Sequence, residues 1–87
     1  MRYYLILCRS VTYAQRTARV LERAGIPART LRAPRQISRE GCSHCVRVGR
    51  SDLDEAVERL RESGLAPKHV FAVLPDGGYQ EVTHDLS

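Results

Sequence analysis

The sequence predicts an α+β fold, with two helices packed on one face of a four-stranded antiparallel sheet. Three observations predict it. The run Tyr3-Tyr4-Leu5-Ile6-Leu7-Cys8 has no polar face and suits a central strand. Two later stretches carry apolar residues at three- and four-residue spacing, the signature of amphipathic helices. The segment Leu21-Glu22-Arg23-Ala24-Gly25-Ile26-Pro27 is echoed by Leu60-Arg61-Glu62-Ser63-Gly64-Leu65-Ala66-Pro67, each a helix end, a glycine stop, an apolar residue, a proline and then a strand. Two strand–helix–strand units of similar length make a duplicated β-α-β, the ferredoxin-like βαββαβ arrangement. A wholly parallel sheet needs helices on both faces, and two helices do not cover them.

Each element follows in order. Tyr3 to Cys8 is the first strand. Ser10 or Thr12 supplies the cap of the first helix, whose apolar stripe is Ala14, Ala18, Leu21 and Ala24, with Gln15, Arg16, Arg19, Glu22 and Arg23 opposite. Gly25 stops this helix and Ile26-Pro27 leads away. Ala28 to Ala33 alternates as a second, more exposed strand, which Pro34 ends. Pro34 to Gly41 has no period and reads as a loop or single turn. Cys45 to Val48 is a brief third strand. Ser51 or Asp52 caps the second helix, with acidic residues in its first turn and a stripe of Leu53, Ala56, Val57 and Leu60 closed by Gly64. His69 to Leu74 is the fourth strand, and Pro75-Asp76-Gly77-Gly78 is a turn. The expected organisation is one domain over residues 1–78 and a tail over 79–87, from which a short strand can form at Tyr79.

Composition narrows the class. At 87 residues the chain builds one small core, and its 43% apolar and 28% charged residues describe a globular domain. No apolar run reaches the length of a membrane span, and the short apolar start lacks a signal-peptide cleavage site, so the expected setting is the cytoplasm. The net charge is +4, and arginine supplies all the basic residues except Lys68. That bias has an ordinary source in GC-rich codon usage. RNA-recognition domains of this architecture stack bases on strand aromatics, but the third strand reads Cys45-Val46-Arg47-Val48, so nucleic acid is not an expected partner.

Three cysteines in a reducing compartment suggest redox or metal chemistry rather than staples. In the predicted topology the end of the first strand, the start of the first helix and the link between strands two and three share one edge. Cys8 therefore meets Cys42 and Cys45 there, although 34 residues separate Cys8 from Cys42. Arg9, Arg35, Arg39 and Arg47 are within reach of that edge. A helix amino terminus and guanidinium groups both favour a thiolate. Cys42-Ser43-His44-Cys45 would supply an attacking and a resolving thiol. Cys8 ends an apolar strand and is expected to pack as a small hydrophobe. His69 and His84 read as ordinary surface or edge residues. No paired carboxylates and no glycine-rich phosphate loop stand out.

The loop Pro34-Arg35-Gln36-Ile37-Ser38, followed by Gly41-Cys42, resembles the signature of the DUF3343 family, described as putative Se/S carrier protein-like. The resemblance extends over most of residues 2 to 74 and includes the Ala-rich first helix with its Gly-Ile-Pro exit. Cys42 matches the motif cysteine, while Cys45 is additional to the family pattern. The resemblance implies a carrier rather than an enzyme, with a persulfide or perselenide held on Cys42 and with sulfur or selenium donor and acceptor proteins as partners. Arg35 and the helix end would stabilise the charge, Ser38 would donate a hydrogen bond to it, and Arg9 and Arg39 would add positive charge. Cys45 would be the resolving thiol. No cofactor is expected. Two other readings stand beside this one. The first is a zinc or iron module using Cys8, Cys42, Cys45 and His44. The second is an interaction domain that forms a homodimer through an exposed sheet face.

Overall fold

A computed structural model of the chain describes residues 3–38 and 41–82. The elements run β1 (Tyr3–Cys8), α1 (Val11–Arg23), β2 (Ala28–Arg32), β3 (His44–Gly49), α2 (Leu53–Glu62), β4 (His69–Val73) and β5 (Tyr79–Glu81). The strands form one antiparallel sheet in the order β2-β3-β1-β4-β5. The apolar run that predicts a central strand is indeed central: β1 pairs with β3 on one side and β4 on the other. The sheet has five strands rather than the expected four. Tyr79–Glu81, placed in the tail by the sequence, pairs with β4 across the Pro75–Gly78 turn, where Leu74 N–H donates to the Gly78 carbonyl at 2.8 Å.

Both helices lie on one face. Ala14, Leu21, Ala56 and Leu60 from the helices pack with Ile6, Val46, Val48 and Val70 from the strands, all essentially solvent-free. The repeat seen in the sequence is also a repeat in hydrogen bonding. Ile26 N–H donates to Leu21 O at 2.9 Å, and Leu65 N–H donates to Leu60 O at 2.8 Å. Both bonds need the intervening glycine in the left-handed region, and Gly25 and Gly64 have φ of 80° and 74°.

The opposite face of the sheet carries a second cluster, Leu5, Leu7, Cys45, Phe71 and Val73, joined by Ala33 and Ile37 from the β2–β3 link. Ile37 is 1% exposed, so the family-like loop folds back as a plug on this face. The sheet face expected to serve dimerisation is thus partly covered by the chain's own loop, with Tyr3, Leu31 and Tyr79 left half-buried there, and among the described residues Val11 is the only large hydrophobic left exposed. No helix among the described residues is long and apolar enough to cross a membrane.

Candidate functional site: a cysteine-lined pocket

Strand alternation decides which thiols can meet. Cys8 pairs with His44, two residues beyond Cys42, and Cys42 sits at the sheet edge, where it also packs against the second cluster. Cys45 pairs with Leu7 instead, so it shares the face of Leu7 and lies in the second cluster, whereas Cys8 belongs to the helix-side core. Of the three cysteines, only Cys42 is not buried.

Cys8 and Cys42 line one pocket of about 200 Å³. Its walls come from the end of β1, the first turns of α1 with Tyr13 and Thr17, and the α2–β4 link with Leu65, Pro67, Lys68 and His69. The predicted convergence of residues far apart in sequence thus holds for Cys8 and Cys42. Ser10 caps α1 by accepting from Tyr13 N–H at 3.1 Å, which aims the first turn of the helix at this edge. Arg9 lines the pocket with its guanidinium 4.8 Å above the Tyr13 ring.

The Cys8 thiol is 3.6 Å from the Ile6 carbonyl and 4.0 Å from Thr17 Oγ1. Burial pushes it up to about 11; the Thr17 hydrogen bond works against this, and the charge of Cys42 adds to it. Cys45 is pushed up to about 12, first by burial and then by the charge of Cys8 in the neighbouring strand. Side chains on opposite faces of a sheet cannot be bridged, so this coupling offers no Cys8–Cys45 disulfide.

Several expected site residues sit elsewhere. Ser38 Oγ donates to the Cys42 carbonyl oxygen at 2.7 Å and so fixes the backbone of that residue rather than its sulfur. Arg35 is exposed on the turn and does not line the pocket. Arg47 lies over the Tyr3 ring at 5.1 Å, at the other end of the sheet. Arg39 and His84 lie outside the described residues. His44 turns its Nδ1 toward Ser43 Oγ at 3.2 Å. Among the described residues no group of three or more His, Cys, Asp or Glu is arranged to hold a metal ion. Cys45 does not join the pocket, because Cys42-Ser43-His44-Cys45 enters a strand and not a helical turn. Ser43 O continues the β2–β3 ladder by accepting from Ala33 N–H at 2.8 Å. An extended path spaces Cα atoms three residues apart by about 10 Å, beyond the roughly 7 Å limit for a disulfide.

The pocket also holds residues that the sequence reading passed over. Thr17 is 1% exposed, a hydroxyl set into the apolar stripe of α1, and that misplaced polarity was its available signal. Lys68 is the single lysine of the chain, and its place before β4 was legible as a rim position. His69 bonds through Nδ1 to Glu81 Oε2 at 2.6 Å, and both side chains are about 30% exposed. A carboxylate in that position fixes the imidazole tautomer and orientation. No local signal reveals this pair, because only the pairing of β5 with β4 brings residues 69 and 81 together.

These features define a small α+β protein with a cysteine-lined, cation-rimmed pocket at one edge of its sheet. The chain belongs to the family described as putative Se/S carrier protein-like, whose model matches residues 3–72. No curated protein and no solved structure matches it.

Proposed function

We propose that this chain is a non-enzymatic carrier of sulfur or selenium that holds a persulfide or perselenide on Cys42. The observation that carries the reading is the accessibility of Cys42. It is the one cysteine not buried, and it opens into a pocket rimmed by Arg9 and Lys68. A persulfide is more acidic than its parent thiol and travels as an anion, and cations beside it favour that form. The first turn of α1 carries no acidic residue, so its positive end adds to the same field. The strand order β2-β3-β1-β4 supports a ferredoxin-like βαββαβ frame, extended at one edge by β5.

The donor and the acceptor are other proteins of the cytoplasm, docking at the pocket mouth. Ser38 keeps the Cys42 backbone in place while cargo is exchanged. Arg35, on the turn before Cys42, serves partner docking rather than the sulfur itself. The test is incubation with a cysteine desulfurase and cysteine, followed by intact mass measurement without reductant. The expected result is a gain of one sulfur atom that is absent in Cys42→Ser. A wild-type chain that never gains sulfur overturns the reading.

A further inference from the structure

Cys8 is the buried nucleophilic group for which the carrier reading has no use. It shares the pocket with Cys42 and has lost the company of Cys45 to the other face of the sheet. We propose that Cys8 is the second thiol of the site: it attacks the Cys42 sulfur of the loaded carrier, closes a Cys8–Cys42 disulfide and releases the cargo. This inference rests on the carrier reading and names how its cargo leaves.

The register brings the two residues close. Cys8 pairs with His44, and Cys42 lies two residues before it. Diagonal neighbours across an antiparallel pair stand about 7–8 Å apart at Cα and somewhat less at Cβ. Disulfides form up to about 7 Å. Cys42 is held by a single bridge outside the continuous strand, which begins at His44, so a movement that closes the gap gives up that bridge and the Ser38 hydrogen bond but leaves β3 paired. Cys45, by contrast, is paired on both sides, to Leu7 and to Leu31, and any move toward Cys42 breaks the sheet.

The step balances without an added oxidant. The Cys8 sulfur bonds to the Cys42 sulfur, and the persulfide S–S bond breaks with its electron pair on the outer sulfur. That sulfur takes the Cys8 proton and leaves as hydrosulfide. One thiol and one persulfide anion become one disulfide and one hydrosulfide. The oxidation of Cys8 matches the reduction of the outer sulfur. A selenium cargo leaves as hydroselenide by the same step. Because burial keeps Cys8 protonated at neutral pH, a freshly loaded carrier is not discharged at once.

Trypsin separates the alternatives. Cys8 falls in the peptide covering residues 3–9, and Cys42 and Cys45 fall together in residues 40–47. After loading by desulfurase and cysteine, wild type and Cys45→Ser are expected to release sulfide and to yield the two peptides cross-linked. Cys8→Ser and Cys8→Ala, two variants of different polarity at the buried position, are expected to keep the Cys42 persulfide at least about tenfold longer. A closed ring within residues 40–47, or equal persulfide lifetimes in wild type and both Cys8 variants, overturns the proposal. If no variant gains sulfur, the carrier reading fails instead. Diamide oxidation of the unloaded protein then judges the thiol pair alone: cross-linked 3–9 and 40–47 support it, and a ring within 40–47 overturns it.

Discussion

The duplicated β-α-β gives this protein two equivalent strand-to-helix junctions, at opposite ends of the sheet, and only one is equipped for chemistry. At the first junction β1 ends in Cys8, Ser10 caps α1 with a side-chain hydrogen bond, and the first turn of α1 holds no acid. At the second, β3 ends in Gly49, Asp52 makes no side-chain cap bond, and Asp54 and Glu55 occupy the first turn of α2. The positive end of α1 therefore remains available to an anion, while that of α2 is already neutralised by its own carboxylates. The groove at the second junction is lined by Tyr3, Arg29, Arg47 and Asp52 and holds no thiol. Repeating a frame does not repeat a function. The helix packing and glycine stops are common to both halves, and the thiol-lined pocket and open helix end belong to one junction.

The largest expected effect concerns the thiols. Alkylation with iodoacetamide under native conditions at neutral pH is expected to label Cys42 by orders of magnitude faster than Cys8 or Cys45, since burial shields the other two. Peptide mapping over time checks this, and equal labelling of Cys45 would erase the contrast between the sheet faces. Next come the shared parts of the frame. Leu21→Ala and Leu60→Ala sit at matching repeat positions, both 0% exposed, and each is expected to cost about 2–5 kcal/mol in urea unfolding. A large difference between them would mean the two halves are not equivalent in packing.

The pH dependence is also specific. Cys8 and Cys45 have folded values raised from 9.0 to about 11 and about 12. Below pH 9 both states hold these protons and stability is flat. Above it the unfolded chain releases protons that the folded one keeps, so stability falls by several kcal/mol, roughly, as pH rises toward 12. Thermal unfolding at stepped pH checks this, and Cys45→Ala is expected to flatten the fall. The smallest effect lies at the caps. Ser10→Ala is expected to cost about 1 kcal/mol and Asp52→Ala only a few tenths, because only Ser10 makes the bond.

Much of the frame was legible because it depends on local periodicity. The bounds of β1 match the apolar run residue for residue, and Gly25 and Gly64 stop their helices as their sequence echo implies. The site was legible only as an edge where chain segments converge. Which thiols face each other depends on a one-residue alternation: Cys8 sits opposite His44 and not Cys45, and the Cys-x-x-Cys spacing says nothing about whether it will be coiled or extended. Ser38 was expected to serve the sulfur because the family resemblance places it in the motif loop, yet its hydroxyl satisfies a backbone carbonyl. The His69–Glu81 pair was illegible because it needs β5, a three-residue strand formed by a turn and not by its own pattern.

The central claim is that cargo rides on Cys42 and on no other thiol. The direct measurement is fragmentation of peptide 40–47 after loading by desulfurase and cysteine, sampled early at neutral pH without reductant. The account predicts one extra sulfur on Cys42 in wild type, unchanged in Cys45→Ser and absent in Cys42→Ser. An extra sulfur found on Cys45, or persisting in Cys42→Ser, would contradict it.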